Sequence, residues 1–387
     1  MKYSRHFAAP QGNGKESTMS LRHLFPLAHK LDVNRLARHG FAAATLKALS
    51  QFVGRAADRE LYQANPRYWA EQLGLDERTT LALIVAGVQE GLFDLNWQTV
   101  CPICKYYART AESLGGVTQL HHCEACDHDF DAYLDEEIIV TVSVTEALRP
   151  LSPAKRVDPI FRDWMNVHYG QVPALTLIHI PSFQELVAQH ILPEGHWLGV
   201  KRLAIFFSDL RGSTALYHKY GDVQAYRWVC EHFKILFDAA VQHNGSAVKT
   251  IGDGVMGAFA NPLDALRSMF DAMEGLAALN ERCGLKGDDC LTLKVGLHAG
   301  PCIVVTLNGR LDYFGRTVNI AARLSALSEG RDIVLSHAVL DNEDACALAE
   351  EQGNVLPLAT RLRGLPEDFE LHRLILPVAR EKSLQRG

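Results

Sequence analysis

Apolar positions change their period along the chain, and the changes mark out its units. From about residue 21 to residue 97 the spacing is helical. That segment closes with a helix opened by Asn65-Pro66 and running through Leu73, a restart at Gly74 to Asp76, a helix over 79–91, and an extended return over 92–97. Two short helices around a turn followed by an extended return make a winged-helix-like pattern. EEIIVTVSVTEALRPL then reads as a strand, and the stretch from Arg156 to Val200 as short mixed elements in a second strand-rich layer, with a hinge near Pro193-Glu194-Gly195.

From Lys201 to Leu374 strands and helices alternate. Residues 203–208 are an apolar run of strand length, and 214–243 read as one helix with Phe233, Leu236, Phe237, Ala240 and Val241 on its buried face, stopped by Asn244-Gly245. Strands at 246–251 and 255–259 flank Gly252-Asp253-Gly254, the composition of a tight hairpin turn. Asn261-Pro262 starts a helix whose buried stripe is Leu266, Met269, Phe270, Met273 and Ala277. Segments 291–298 and 302–307 read as a hairpin around Gly300-Pro301, with a helix from about Thr317. The order β-α-β-β-α-β is that of a ferredoxin-like arrangement with extensions.

Composition adds bounds. At 387 residues the chain exceeds one ordinary core, given roughly 100–200 residues per domain. With 48% apolar and 22% charged residues it is expected to be globular. No run of apolar residues is long enough for a membrane span, and the polar N-terminus lacks a secretory apolar stretch. Residues 1–20 read as a disordered tail, and the end of the chain beyond about residue 376 as another. The net charge of -6 argues against a whole-molecule polyanion binder. The second helix of the winged-helix-like part, TTLALIVAGVQEG, offers no Arg or Lys to touch bases or phosphates, which disfavours nucleic acid as a partner.

Nine cysteines include two CxxC pairs, Cys101/Cys104 and Cys123/Cys126, separated by 18 residues. Four thiolates at this spacing suit one tetrahedral Zn²⁺, and such a saturated site is structural. The segment 101–126 is therefore expected to be a zinc ribbon. His121, His122 and His128 are alternative ligands that read more simply as surface residues. The remaining Cys230, Cys283, Cys290, Cys302 and Cys346 read as free thiols, and this usage points to a reducing compartment, the cytoplasm.

Asp209 in FFSDLRGST, taken alone, serves equally as a helix cap, and Asp253 in GDG as a turn former. Together they place two carboxylates at the ends of neighbouring strands beside the first amides of a helix, supplied by Gly212, Ser213 and Thr214. That combination makes a site for divalent cations and phosphate.

FFSDLRGST, KTIGDGVM and LDYFGRTVNIAARL occur in this order within residues 201–374. This segment resembles the catalytic domain of the class III nucleotidyl cyclases, specifically an adenylate cyclase. Residues 21–145 resemble the N-terminal domain that precedes such a catalytic domain in some bacterial cyclases.

The resemblance implies that Asp209 and Asp253, with the Leu210 carbonyl, hold two Mg²⁺ or Mn²⁺ ions. One ion would activate the ribose 3′-hydroxyl and the other bind the triphosphate. Asn319 and Arg323, four apart and so on one helix face, are implied as the catalytic pair: Asn319 orients the ribose, and Arg323 stabilises charge on the transferring phosphoryl group. Lys249 and Asp312 occupy the base-reading positions, where guanylate-making relatives carry Glu and Cys, so ATP is the implied substrate. Arg363 stands where the family commonly has a triphosphate-binding Lys. Because the family's sites form across a two-fold interface, a homodimer is implied.

The resulting expectation is an α/β (α+β) chain. A ferredoxin-like cyclase domain over 200–375 follows an α+β N-terminal region at 21–145 and a connecting region at 146–199. A catalytically silent cyclase-like dimerisation module would have lost an Asp, Asn or Arg, and none is lost; a winged-helix and zinc-ribbon nucleic-acid binder is the other alternative.

Overall fold

The structure is a computed structural model that describes residues 32–185, 192–360, 362 and 369–377. The expected N-terminal tail, Arg363 and residues beyond Pro377 lie outside the described residues.

The N-terminal part begins with a short 3-10 helix (Val33–His39), then α1 (Ala43–Arg55), α2 (Pro66–Leu73) and α3 (Glu77–Gln89). Asn65 caps the Arg67 amide to start α2, and Gly74 in the left-handed region ends it, so that α3 can begin after Asp76 caps Thr79. α3 starts two residues before the position its apolar spacing predicts and so includes Arg78. Five strands follow: β1 (Phe93–Val100), β2 (Tyr107–Ala111), β3 (Leu120–Cys123), β4 (His128–Asp131) and β5 (Ile138–Val144). They form an antiparallel sheet β2-β1-β5 and a separate β3-β4 hairpin.

The segment expected to form a second strand-rich layer is helical instead: α4 (Pro153–Arg156), α5 (Pro159–Tyr169), α6 (Ala174–Ile178) and α7 (Pro181–Glu185). Its prolines open helices rather than break them, because the first-turn N–H they lack would be unpaired anyway.

The C-terminal part comprises β6 (Trp197–Leu210), α8 (Ser213–Tyr220), α9 (Asp222–Gln242), β7 (Ser246–Ile251), β8 (Gly254–Phe259), α10 (Pro262–Cys283) and β9 (Leu293–Leu307). It continues through β10 (Arg310–Phe314), α11 (Arg316–Leu327), β11 (Asp332–Ser336), α12 (His337–Leu340), α13 (Glu343–Gln352), β12 (Asn354–Pro357) and β13 (Leu371–Ile375). The eight-stranded sheet runs β12-β13-β11-β9-β6-β8-β7, with β10 paired to β9. Its stretch β9-β6-β8-β7 is antiparallel throughout and has the ferredoxin-like strand order.

Four local expectations are corrected. The helix predicted over 214–243 is two helices, α8 and α9, because Gly221 adopts φ +76. The buried face of α9 is Ala225, Val229, His232, Leu236 and Ala240, while Phe237 and Val241 are each 37% exposed. A histidine inside the stripe reads as polar and shifts the apparent face. In α10 the stripe passes through Ala272, Leu276 and Leu279, and Ala277 is exposed.

The fourth correction matters most for the site: there is no hairpin at Gly300-Pro301. β9 runs through it, and Pro301 lies opposite a register irregularity between Val200 and Leu203 of β6, where a missing N–H costs no ladder bond. The turn is Asn308-Gly309, with φ of 50° and 72°, the two-positive-φ turn that suits a tight hairpin.

One face of the large sheet packs on α9 and α10. On the other face Leu203, Ile205, Met256, Val304, Leu311 and Tyr313 share one continuous core with α1 to α3, β1, β5 and α6. Beyond Pro193–Gly195 the start of β6 is tied to the N-terminal part: Asp135 accepts from the Lys201 and Arg202 amides at 3.0 and 2.9 Å, and Lys201 Nζ lies 2.6 Å from both Glu136 and Glu137.

Candidate active site and cysteine cluster

β6 ends at the carboxylate of Asp209. The β7-β8 turn packs against that end because Gly254 lacks a side chain: a Cβ there would lie 2.5 Å from the Ser208 carbonyl oxygen. Gly252, at φ +64, supplies the left-handed residue that the two-residue turn needs. Asp253 is thereby set beside Asp209, whose carboxyl is pushed above its ordinary value by burial and by Asp253, with Lys294 opposing. Oδ2 of Asp253 is buried without a hydrogen-bond partner. Beyond Asp209, Gly212 at φ +73 opens α8, and no side chain caps the helix, so its first amides are left without a side-chain partner. Two close carboxylates, an orphaned carboxylate oxygen and uncapped amides fit divalent cations carrying a phosphate chain.

Lys249 sits just after a register shift in β7, which directs Val248 into the core. Asp312 lies on β10, opposite Val305. Three strands separate β7 from β10 in the sheet, yet Lys249 Nζ and Asp312 Oδ2 pair at 2.5 Å. Asp312 Oδ1 accepts from the Tyr313 amide at 2.8 Å, which fixes the carboxylate. The side chain of Lys249 remains 38% exposed and that of Asp312 12%, so the pair is open to solvent on the lysine side.

Asn319 and Arg323 lie on α11, one turn apart. Asn319 is exposed, whereas Arg323 is half-buried with Nη1 buried and unpartnered. α11 is held tightly on β9 at Gly296, where a Cβ would come within 2.0 Å of the Ser325 amide nitrogen.

Several residues near these sites were not found by the sequence analysis. His232 is buried on α9 near enough to feel the Asp253 charge, but desolvation dominates and lowers its pKa to about 4. His179 donates or accepts at 3.0 Å with the Tyr313 hydroxyl, and burial lowers its pKa to about 3. Arg78 donates to the carbonyls of His179 and Gly245 at 3.3 and 3.2 Å. None had a local signal, because a His or Arg in a helical segment declares itself only through its tertiary partner.

The four predicted cysteines come together. Their sulfurs lie within 4.8 Å of one another, with Cys101 to Cys126 at 3.6 Å and Cys104 to Cys123 at 3.5 Å. A tetrahedron of thiolates around Zn²⁺ has edges of about 3.8 Å, so the separations fit that ion. Both CxxC turns are built alike: the Lys105 amide donates to the Cys101 carbonyl at 3.0 Å and the Asp127 amide to Cys123 at 2.8 Å, each from a residue with positive φ. Two of the three histidines are employed elsewhere. His121, contrary to the surface reading, is buried against Phe130 and bonded to the Thr118 carbonyl, and His122 pairs with Asp129. All nine cysteines are free thiols. No helix among the described residues is long and apolar enough to cross a membrane.

Residues 199–355 match the adenylate and guanylate cyclase catalytic domain family. Residues 29–166 match a family of unknown function, DUF5939. The chain is similar to adenylate cyclase 2 of Rhizobium meliloti (27% identical over 146 residues, 35% of this chain and 40% of the relative). The chain is also similar to the adenylate cyclase of Lachancea kluyveri (26% over 250 residues, 54% of this chain and 13% of the relative). Among solved structures, the adenylyl cyclase CyaB from P. aeruginosa matches with a TM-score of 0.41 and 21% identity, over 48% of this chain and 98% of that chain. The chain spans 40% or less of the length of the two curated relatives.

Proposed function

We propose that this chain is an adenylate cyclase, converting ATP to 3′,5′-cyclic AMP and pyrophosphate at sites shared between two copies. The observation that carries this reading is the Lys249–Asp312 pair, held at 2.5 Å from strands with three others between them. A lysine donates to adenine N1 and a carboxylate accepts from the N6 amino group. Guanine would present N1–H to the ammonium and O6 to the carboxylate, leaving both contacts mispaired.

Asp209, Asp253 and the Leu210 carbonyl would hold two Mg²⁺ or Mn²⁺ ions. When bound, these ions supply neutralising charge for the triphosphate and added acidity for the ribose 3′-hydroxyl. Gly212, Ser213 and Thr214 offer amides to the phosphates, and Arg363 is proposed to do the same with its side chain. Asn319 orients the ribose. Arg323, with an unpartnered buried N–H, grips the oxygens of the transferring phosphoryl group. The 3′-oxygen attacks the α-phosphorus, the bond to the bridging oxygen breaks, and pyrophosphate leaves.

The metal carboxylates of one copy are proposed to face the Lys249, Asp312, Asn319 and Arg323 of the other, so the active unit is a homodimer. The Cys₄ cluster is proposed to bind structural Zn²⁺ in a ribbon, and the N-terminal part to regulate the cyclase. The free thiols favour a cytoplasmic setting. The test is turnover by the purified chain with ATP or GTP, in Mg²⁺ or Mn²⁺. Cyclic AMP should form, with GTP used at least about a hundredfold less efficiently. No cyclic AMP with either ion would overturn the reading, and equal use of GTP would overturn the base assignment.

A further inference from the structure

The base-reading strands are joined by a chain of hydrogen bonds that passes through the N-terminal part. Gly245, immediately before β7, accepts from Arg78 Nη2 at 3.2 Å, and the same nitrogen donates to the His179 carbonyl at 3.3 Å. The His179 ring then bonds the Tyr313 hydroxyl at 3.0 Å, and Tyr313 directly follows Asp312 on β10. Lys249 lies four residues beyond Gly245, and its ion pair with Asp312 closes the ring. The links through the N-terminal part are made where water is scarce: His179 and Tyr313 are buried, and desolvation lowers the pKa of Arg78.

β7 and β10 share no ladder, so the sheet does not by itself set the distance between Lys249 and Asp312. Strand alternation turns Tyr313 to the side opposite Asp312, so a tether on the tyrosine hydroxyl moves the carboxylate without touching nucleotide.

We propose that Arg78 and His179 are positioning residues for nucleobase discrimination: from the N-terminal part they hold β7 and β10 at the separation that lets Lys249 and Asp312 read adenine. This rests on the adenylate cyclase reading above. It assigns to α3 and α6 a definite physical link to substrate choice, through two backbone carbonyls and one tyrosine.

The test uses the full chain and the ratio of kcat/KM for ATP to that for GTP. Tyr313→Phe removes the hydroxyl and keeps the ring, and Arg78→Met keeps the stem and removes the donor fork. Each should lower the ratio by about threefold to thirtyfold, the range for a residue acting through a network. The loss should lie mainly in KM for ATP, with kcat for ATP within about twofold of wild type. Lys201→Met is the control, since it cuts an ion pair between the same two parts but outside the ring; its ratio should stay at the wild-type value.

An unchanged ratio in both Tyr313→Phe and Arg78→Met overturns the proposal, as does an equal change in Lys201→Met. If Tyr313→Phe does not fold, the Arg78→Met result alone decides. A wild-type chain that cyclises neither nucleotide overturns the proposed activity instead. The positioning role is then read from dissociation constants for ATP and GTP, where loss of preference in the variants supports it and an unchanged preference, or none in wild type, overturns it.

Discussion

Asp209 is held with its carboxyl above the ordinary value of 3.8, by partial burial and by the neighbouring Asp253. Its contribution to stability is therefore fully present below that ordinary value and lost as pH rises through the raised one. At neutral pH, without cations, the ionised pair is a cost to the fold. Asp209→Asn should accordingly melt at or above the wild-type temperature in a chelating buffer, while losing at least about a hundredfold in turnover. Mg²⁺ or Mn²⁺ should raise the melting temperature of wild type and not of the variant. A variant that melts lower in chelator, or responds to the cation as wild type does, would contradict the metal assignment. Asp209, Asp253, Lys249, Asp312, Asn319 and Arg323 could be proposed at this scale because each lies within a short motif that carries the family resemblance. Arg78, His179 and His232 were not, since their roles depend on partners far along the chain.

At the scale of elements, α11 owes its position to the bare backbone of Gly296 on β9, where any side chain would meet the Ser325 amide, the Leu324 carbonyl carbon and the Ala321 carbonyl oxygen. Gly296→Val should cost about 1–3 kcal/mol by overpacking. It should also lower kcat by displacing Arg323, although it alters no residue proposed to touch substrate; urea unfolding and turnover assays read the two effects. Normal activity in that variant would show that α11 tolerates displacement. The paired CxxC turns give a second prediction: the purified chain should carry about one zinc, and Cys104→Ser should lose it. Metal analysis checks both, and a wild-type chain folded without zinc would make the ligand set wrong. Strand and helix periods exposed most elements. The hairpin to β10 was misplaced because Gly300-Pro301 looks like a turn, although Asn308-Gly309 carried the stronger signal.

At the scale of the molecule, the N-terminal part and the cyclase sheet share one core, so a chain truncated to begin at Gly199 would expose Ile205, Met256, Val304 and Tyr313. Such a fragment should aggregate or melt at markedly lower temperature than the full chain, measurable by light scattering and thermal unfolding. A fragment as soluble and as stable as the full chain would contradict the shared core. Shared active sites give a separate expectation. Asp209→Ala and Arg323→Ala should each be inactive alone, and an equal mixture with subunit exchange should recover roughly a quarter of wild-type turnover, since half the dimers then hold one intact site of two. No recovery under exchange would count against sites shared between copies.

What the sequence by itself determined was local: the strand and helix periods, the CxxC turns, the GDG corner and the residue types of the pair proposed to read the base. These depend on neighbours a few positions apart, where backbone geometry and side-chain chemistry suffice. Only the tertiary structure decided that Lys249 meets Asp312 within one chain across three intervening strands, that Arg78 and His179 join the strands bearing them, and that the two parts share a core. Those contacts join segments more than sixty residues apart, and they form because buried donors and apolar faces must find partners wherever the fold presents them.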